Sequence, residues 1–153
     1  MEEEMKMVYQ EYKIARDAAQ LLKARVVACD AKIRQPYHPK ENCGVNLQMS
    51  QRQEWADDAV IAGYLKGNIT VHSKSDRRIV VQIAAEIEGI FKMQDKTADK
   101  KAFEKSINLQ LAPQLFPYLR NAVANLSVLM GIPVITLPTM DILKSIKQNR
   151  AEA

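Results

Sequence analysis

Four carboxylates are spaced so that they could act in pairs as a general acid and a general base. Asp57 and Asp58 are adjacent in a polar stretch, and Glu86 and Glu88 share one face of a predicted strand. Adjacent aspartates in a polar stretch are typical of caps and solvated turns. Exposed glutamates on a sheet face commonly pair with nearby cations at little energetic gain. The sequence therefore favours structural roles for both pairs.

Nucleophiles and metal ligands are scarce. The two cysteines, Cys29 and Cys43, and the two histidines, His38 and His72, are not at ligand spacing, so we expect no bound metal. Cys29 is predicted to face the core as an inert thiol. His72 is predicted on a polar strand face without the convergent groups that catalysis needs. Neither a glycine-rich phosphate loop nor a Gly-x-Ser-x-Gly motif occurs.

Length and composition fit one domain. The chain has 153 residues, of which 47% are apolar, enough for a sizeable core. A net charge of +4 permits an acidic partner or nucleic acid but requires neither. No apolar run reaches the roughly 18 residues of a membrane span. The acidic stretch Glu2–Glu4 is unlike the basic start of a signal peptide, so a cytoplasmic location is expected.

Hydrophobic periodicity divides the first two thirds of the chain into a helix and four strands. Three- and four-residue spacings predict the helix, and alternation predicts the strands. The helix is predicted over 5–22, the strands over 27–34, 45–50, 59–73 and 77–91, and a polar connection over 51–58. The last two strands are separated by a few polar residues and should form an antiparallel hairpin.

The last third of the chain is predicted to be mainly helical. A charged helix over 95–105 is followed by a longer apolar helix over 114–130. Pro113 and Pro117 fit only a first helical turn, so this helix should begin or kink near 114. Gly131 should end it. An extended apolar connection over 132–138 and a last helix over 140–150 complete the prediction.

This order of elements predicts an α+β fold. A four-stranded antiparallel sheet should carry the long helix and the C-terminal helix on one face, with the N-terminal helix in addition. We divide the chain into an N-terminal helix over 1–24 and a main domain over 25–150. Long apolar strands at the sheet edges invite pairing, so we expect a homo-oligomer, either a dimer or a dimer of dimers.

Three segments resemble the bacterial export chaperone SecB. The stretch Leu115-Phe116-Pro117-Tyr118-Leu119-Arg120 is similar to the Leu-Phe-Pro-Tyr-Ala-Arg that opens the family's main helix. Gly89-Ile90-Phe91 is similar to a Gly-Ile-Phe that ends its fourth strand, and 131–138 to its apolar connection with prolines. The resemblance covers about 25–146. It implies the fold above, homo-oligomers, no enzymatic activity, no cofactor, and a chaperone that holds non-native or presecretory polypeptides.

The resemblance also implies two interaction sites. Clients would lie in apolar grooves, whose matching residues are Phe91, Phe116, Leu126, Val134, Ile135 and Leu137. In better-known members, acids on the outer sheet face bind a tail of the translocase motor SecA. Asp30 matches one such position, whereas Arg34, Arg77 and Arg78 reverse the charge nearby, which disfavours a basic partner. A specialised member that protects an antitoxin fits this pattern at least as well.

Two other classes of function remain as alternatives. A hot-dog thioester enzyme also packs a long helix on an antiparallel sheet, but it needs a carboxylate near the helix start, where Asn108 and Gln114 stand. A nucleic-acid module needs aromatic residues interleaved with basic ones. The predicted outer face of the third and fourth strands has a single aromatic residue, Tyr64, which is a weak signal for this alternative. Titrations against an unfolded polypeptide, RNA and an acyl-thioester separate the three.

Overall fold

A computed structural model describes residues 2–36, 42–94 and 99–138, and it shows two helices and one sheet. The elements are α1 (Glu2–Ala18), β1 (Ala19–Ile33), β2 (Cys43–Asp57), β3 (Val60–Ser73), β4 (Ile79–Met93) and α2 (Lys100–Leu129). The strand order is β1-β4-β3-β2, and every neighbouring pair is antiparallel. The predicted α+β class and the β3–β4 hairpin are thereby confirmed.

The N-terminal helix ends earlier than predicted. α1 starts with three glutamates, which the helix dipole favours at this end. The chain becomes β1 at Ala19, where the sequence predicted helix as far as 22. Ala19 pairs with Met93 at the end of β4, so strand pairing overrides the local helical spacing. The predicted division between 24 and 25 falls inside β1.

The second strand is longer than predicted. Nearly all of the polar stretch 51–58, which was predicted as a connection, belongs to β2. Its polar side chains on the helix side bond to α2. Gln51 Nε2 donates to Asn108 Oδ1 at 2.6 Å, and Trp55 Nε1 donates to Glu104 Oε1 at 2.6 Å. Because α2 satisfies these polar groups, the strand lacks the apolar alternation on which the prediction relied.

α2 is one continuous helix of 30 residues with Pro113 and Pro117 inside it. The predicted start near 114 is therefore wrong, and the SecB-like motif over 115–120 lies within the helix. Asp99 caps the true N-terminus, where its Oδ1 accepts a hydrogen bond from Lys101 N at 3.1 Å. The predicted end is confirmed, since Gly131 follows the C-cap in a left-handed conformation with φ +70°.

The core lies between α2 and the central strands β3 and β4. Three glycines on these strands lie directly beneath three leucines of the helix. A Cβ on the glycine would lie 2.5–2.7 Å from the leucine side chain in the pairs Gly63–Leu111, Gly67–Leu119 and Gly89–Leu115. The missing side chains let the helix backbone approach the sheet closely.

The edge strands β1 and β2 are more exposed than the central pair. On the helix side of β1, Val26, Cys29 and Ile33 are exposed, although their partners on β4 belong to the core. The prediction of a buried Cys29 is therefore wrong. The alternation assigned this residue to the helix-side face, but α2 does not cover that part of the edge strand.

Several predictions fall on parts of the chain that lie outside the described residues. These are His38, the start of the charged segment at 95–98, and the C-terminal helix over 140–150. Within the described ranges, no helix has both the length and the apolar character that a membrane crossing requires.

Candidate functional site

Large apolar side chains remain exposed on the side of the sheet that carries α2. On β2, Val45 is 52% exposed and Met49 is 41% exposed. Each pairs with a buried residue of β3, Val71 and Gly67 respectively, so both belong to the helix-side face. An apolar sheet face at an edge strand that the helix does not cover is the kind of surface that binds another chain.

The chain that follows α2 adds a further apolar side chain to this side. Ser127 is fully buried, and its Oγ donates to Val123 O at 2.8 Å and accepts a hydrogen bond from Ile135 N at 3.1 Å. This pair of bonds ties the extended segment 132–138 to the helix. Ile135 and Leu137 point into the core, whereas Val134 between them is 55% exposed.

The exposed residues of β2 and of this segment lie toward the same end of the molecule. Leu119 of α2 lies over Gly67, which pairs with Met49. The helix then runs about two turns further to Ser127, which holds the segment. Val45 lies in the same direction along β2 from Met49.

The six predicted groove residues have different environments. Phe91, Phe116, Ile135 and Leu137 are buried, Leu126 is partly buried against the core, and Val134 is exposed. Burial of the first four is what a folded core requires. Their contact with a client remains a prediction.

Sequence reasoning did not identify Val45 and Met49 as site residues. Their alternation with polar neighbours predicted a strand over 45–50, which the structure confirms within β2. What the alternation could not show is that this strand lies at an edge and that α2 leaves its helix-side residues uncovered. That information comes from the strand order β1-β4-β3-β2.

Removing the Ser127 hydroxyl is expected to loosen the segment over 132–138. Ser127→Ala leaves the amide of the buried Ile135 without its partner, at a cost of about 1–3 kcal/mol. Chemical denaturation measures the loss, and amide exchange at Ile135 should accelerate. Ser106→Ala is the matched control, since Ser106 Oγ bonds back to Ala102 O in its own helix. Equal effects of the two substitutions would contradict the tethering role.

The opposite sheet face is polar, and two arginines near its centre are paired with two glutamates of β4. Arg25 Nε donates to Glu88 Oε1 at 2.8 Å, and Arg52 Nη2 lies 3.4 Å from Glu86 Oε1. Tyr64 OH donates to Glu88 Oε2 at 2.9 Å. This hydrogen bond to Glu88, together with burial, raises the pKa of Tyr64 to about 12. Both glutamates are thus held by neighbouring side chains of the same sheet face, Glu88 by Arg25 and Tyr64 and Glu86 by Arg52.

The predicted partner-face residues lie around one end of this outer face. Asp30 is exposed on β1, and its Oδ2 lies 3.7 Å from Lys32 Nζ. Arg34 Nε donates to Gln82 Oε1 at 2.6 Å. Arg77 and Arg78 lie between β3 and β4. Their contact with a partner remains a prediction.

Within the described ranges, the other candidate chemical groups do not assemble into a site. Asp57 Oδ1 accepts a hydrogen bond from Asp58 N in the β2–β3 turn. Because α2 begins at Lys100, two carboxylates do lie near its start: Asp99 caps the helix, and Glu104 accepts a hydrogen bond from Trp55 Nε1. Among the described residues, no group of three or more His, Cys, Asp and Glu side chains could hold a metal ion.

Comparison with known proteins agrees with this architecture. The model of a family described as preprotein translocase subunit SecB matches residues 27–153. The Rv1957 SecB-like chaperone of Mycobacterium tuberculosis, solved in complex with a ChAD peptide from the Rv1956 HigA1 antitoxin, has a TM-score of 0.74 at 15% identity, covering 86% of this chain and 97% of that chain. A protein of unknown function from Streptococcus agalactiae has a TM-score of 0.43 at 15% identity, covering 78% and 96%. No curated protein matches the sequence.

The match to the family model begins within β1 and includes the whole sheet beyond that point and α2. α1 lies outside it. The solved Mycobacterium tuberculosis chaperone shares the fold of this chain. Since the family model spans most of the sequence, the chain belongs to the SecB family.

Proposed function

We propose that the protein is a molecular chaperone of the holdase type, which binds non-native polypeptides on the helix side of its sheet. The observation that carries the proposal is the exposure of Val45, Met49 and Val134 on that side. Burial of a large apolar side chain stabilises a complex by about 1.5–3 kcal/mol. These three side chains offer no polar group that would require a particular client sequence. Any exposed apolar stretch of an unfolded chain would therefore fit.

The clients proposed are non-native chains in general, which include presecretory proteins and antitoxins. Membership of the SecB family supports the first of these groups. The solved Mycobacterium tuberculosis SecB-like chaperone carries an antitoxin peptide, which supports the second. Either kind of client would bind here through an apolar segment that is unfolded when it meets the chaperone. A chaperone role of this kind needs no catalytic step and no cofactor.

Docking to a basic tail of the motor SecA through outer-face acids is disfavoured in this account. Glu88 is already bonded to Arg25 and Tyr64, and Glu86 lies beside Arg52. A basic partner would have to displace these arginines. The arginines at positions 34, 77 and 78 add repulsion at the nearby end of the face.

A homo-oligomer is expected because β1 is an open edge. β1 has 15 residues, pairs on one side with β4, and exposes Leu22, Val26, Val27 and Ile33. A second copy could pair with the edge and cover these side chains. Light scattering at micromolar concentration should give a mass above that of one chain. Val26→Lys should shift the assembly toward smaller species, whereas Lys23→Gln on the outer face should not. A parent protein that is monomeric would contradict the expectation.

A direct titration tests the proposed function against the two alternatives. Fluorescence anisotropy follows the binding of a labelled, reduced and permanently unfolded model protein. Parallel titrations use single-stranded RNA and an acyl-thioester. We expect saturable binding of the unfolded protein and no thioester turnover. Tighter binding of RNA, or hydrolysis of the thioester, would refute the holdase.

A further inference from the structure

One end of the outer sheet face carries a concentration of positive charge. In the described ranges it holds five cations, Lys32, Arg34, Lys74, Arg77 and Arg78, against two acids, Asp30 and Asp76. We call this surface the basic end. It lies where β1 finishes and where β3 turns into β4, and the two parts are joined by a hydrogen bond from Arg34 N to Val80 O of 2.7 Å. The basic end is separate from the proposed client surface, which is formed by the exposed residues Val45, Met49 and Val134 on the helix side.

Two cations of the basic end, Lys74 and Arg77, are not neutralised as those in the middle of the face are, whereas Lys32 Nζ lies 3.7 Å from Asp30 Oδ2. In the middle, Arg25 and Arg52 each lie against a glutamate of β4. At the basic end, neither Lys74 nor Arg77 takes part in an ion pair within the described part of the chain. Both are exposed. These two side chains can therefore meet an external anion without first breaking an internal bond.

The turn that presents Arg77 is well defined. Arg77 N donates to Ser73 O at 2.9 Å, and Arg78 N donates to Asp76 Oδ1 at 3.0 Å. Arg77 itself has φ +59°, a left-handed conformation that glycine or asparagine adopts at lower cost. An arginine at this left-handed position departs from the usual preference for glycine or asparagine. Departures of this kind occur where a side chain serves function rather than stability.

A shallow polar cleft on the outer face is lined in part by two cations of the basic end, Lys32 and Arg34. It has a volume of about 200 Å³ and is lined chiefly by Asp30, Lys32, Arg34, Asn68, Thr70 and Gln82. The amide and hydroxyl groups can donate to and accept from a peptide backbone. Arg34 is held over the cleft by its bond to Gln82, so its guanidinium is positioned in advance.

We propose that the basic end and its cleft bind an acidic segment of a partner protein. Arg34, Lys74 and Arg77 would meet its carboxylates, and the amide groups of Asn68 and Gln82 would bond its backbone. A protein fits better than a nucleic acid because none of the described lining residues is an aromatic on which a base could stack. The proposal is independent of client binding, because clients are placed on the other face.

The test uses the full chain and a fluorescent peptide of alternating glutamate and serine. Anisotropy at low ionic strength should show binding that weakens as salt is added. The variant Lys74→Gln/Arg77→Asn removes two charges and gives the left-handed position a residue that tolerates it, so its Tm should not fall. We expect its affinity for the peptide to fall about tenfold. The control Lys6→Gln/Lys13→Gln removes the same charge from exposed positions of α1 and should bind as the parent does.

Three results would overturn the proposal. The first is that the parent protein does not bind the acidic peptide. The second is that the two double variants bind the peptide with equal affinity, and the third is that the parent binds a uridine-rich RNA more tightly than the peptide. Capture of an unfolded protein by Lys74→Gln/Arg77→Asn should equal that of the parent. This last measurement separates failure of the basic end from failure of the proposed chaperone function.

Discussion

Gly67→Val is expected to lower the free energy of unfolding by about 2 kcal/mol, within the usual cost of overfilling a packed core. A Cβ at this position would lie 2.7 Å from Leu119 Cδ2 and 3.0 Å from Leu119 Cδ1. Leu119 is fully buried in the core, so its side chain has no free space into which it can move. Either α2 must rise from the sheet or the leucine must leave its rotamer. Chemical denaturation measures the loss.

Asn68→Val is the matched control for this substitution. Asn68 is the next residue of β3, and it is exposed on the outer face, where valine has room and a good strand propensity. We expect its stability to stay within about 0.5 kcal/mol of the parent, as for most surface changes. If Gly67→Val were as stable as Asn68→Val, α2 would not lie against β3 as described.

Val134→Asp is expected to weaken capture of an unfolded protein about tenfold while the fold is retained. The side chain is 55% exposed, so a carboxylate there remains solvated in the free protein. In the complex, the same carboxylate would lie against the apolar stretch of the client, and the loss of one apolar contact and the desolvation of a charge both oppose binding. An aggregation-suppression assay measures capture, and circular dichroism reports the fold.

Leu137→Asp provides the contrast, because Leu137 is 1% exposed in the same segment. Replacing a core leucine by a charge should cost more than 3 kcal/mol, as an unpaired buried charge does. We expect this variant to lose thermal stability. A loss of capture by Leu137→Asp would therefore reflect unfolding and not the loss of a client contact. A Val134→Asp variant that is folded and suppresses aggregation as well as the parent would remove Val134 from the client surface.

The sequence predicted β3 and β4 because each alternates between core and surface, and it predicted the extended segment because that stretch is apolar and contains two prolines. It missed the second half of β2, where Gln51 and Trp55 face α2 and bond to it. It also broke α2 at Pro113, although the packing of neighbouring leucines on three glycines keeps the helix intact. Local propensity does not include such tertiary compensation.

Prediction of the site was limited by the same lack of tertiary information. The resemblance to SecB pointed to the segment after α2, and Val134 is indeed exposed there. Residues such as Phe91 and Leu137 are apolar and sit in matching positions, but the sequence does not show which of them the helix buries. Val45 and Met49 became candidates only when the strand order placed β2 at an edge.

Site-specific photo-crosslinking tests whether clients bind on the helix side of the sheet. A photoreactive amino acid is placed either at Met49 on the helix side or at Lys66 on the outer face, at neighbouring levels of β2 and β3. Each protein is mixed with a labelled unfolded polypeptide and irradiated. If clients bind on the helix side, we expect strong crosslinks from position 49 and weak ones from position 66. Crosslinks of equal strength, or stronger ones from position 66, would contradict binding on that side.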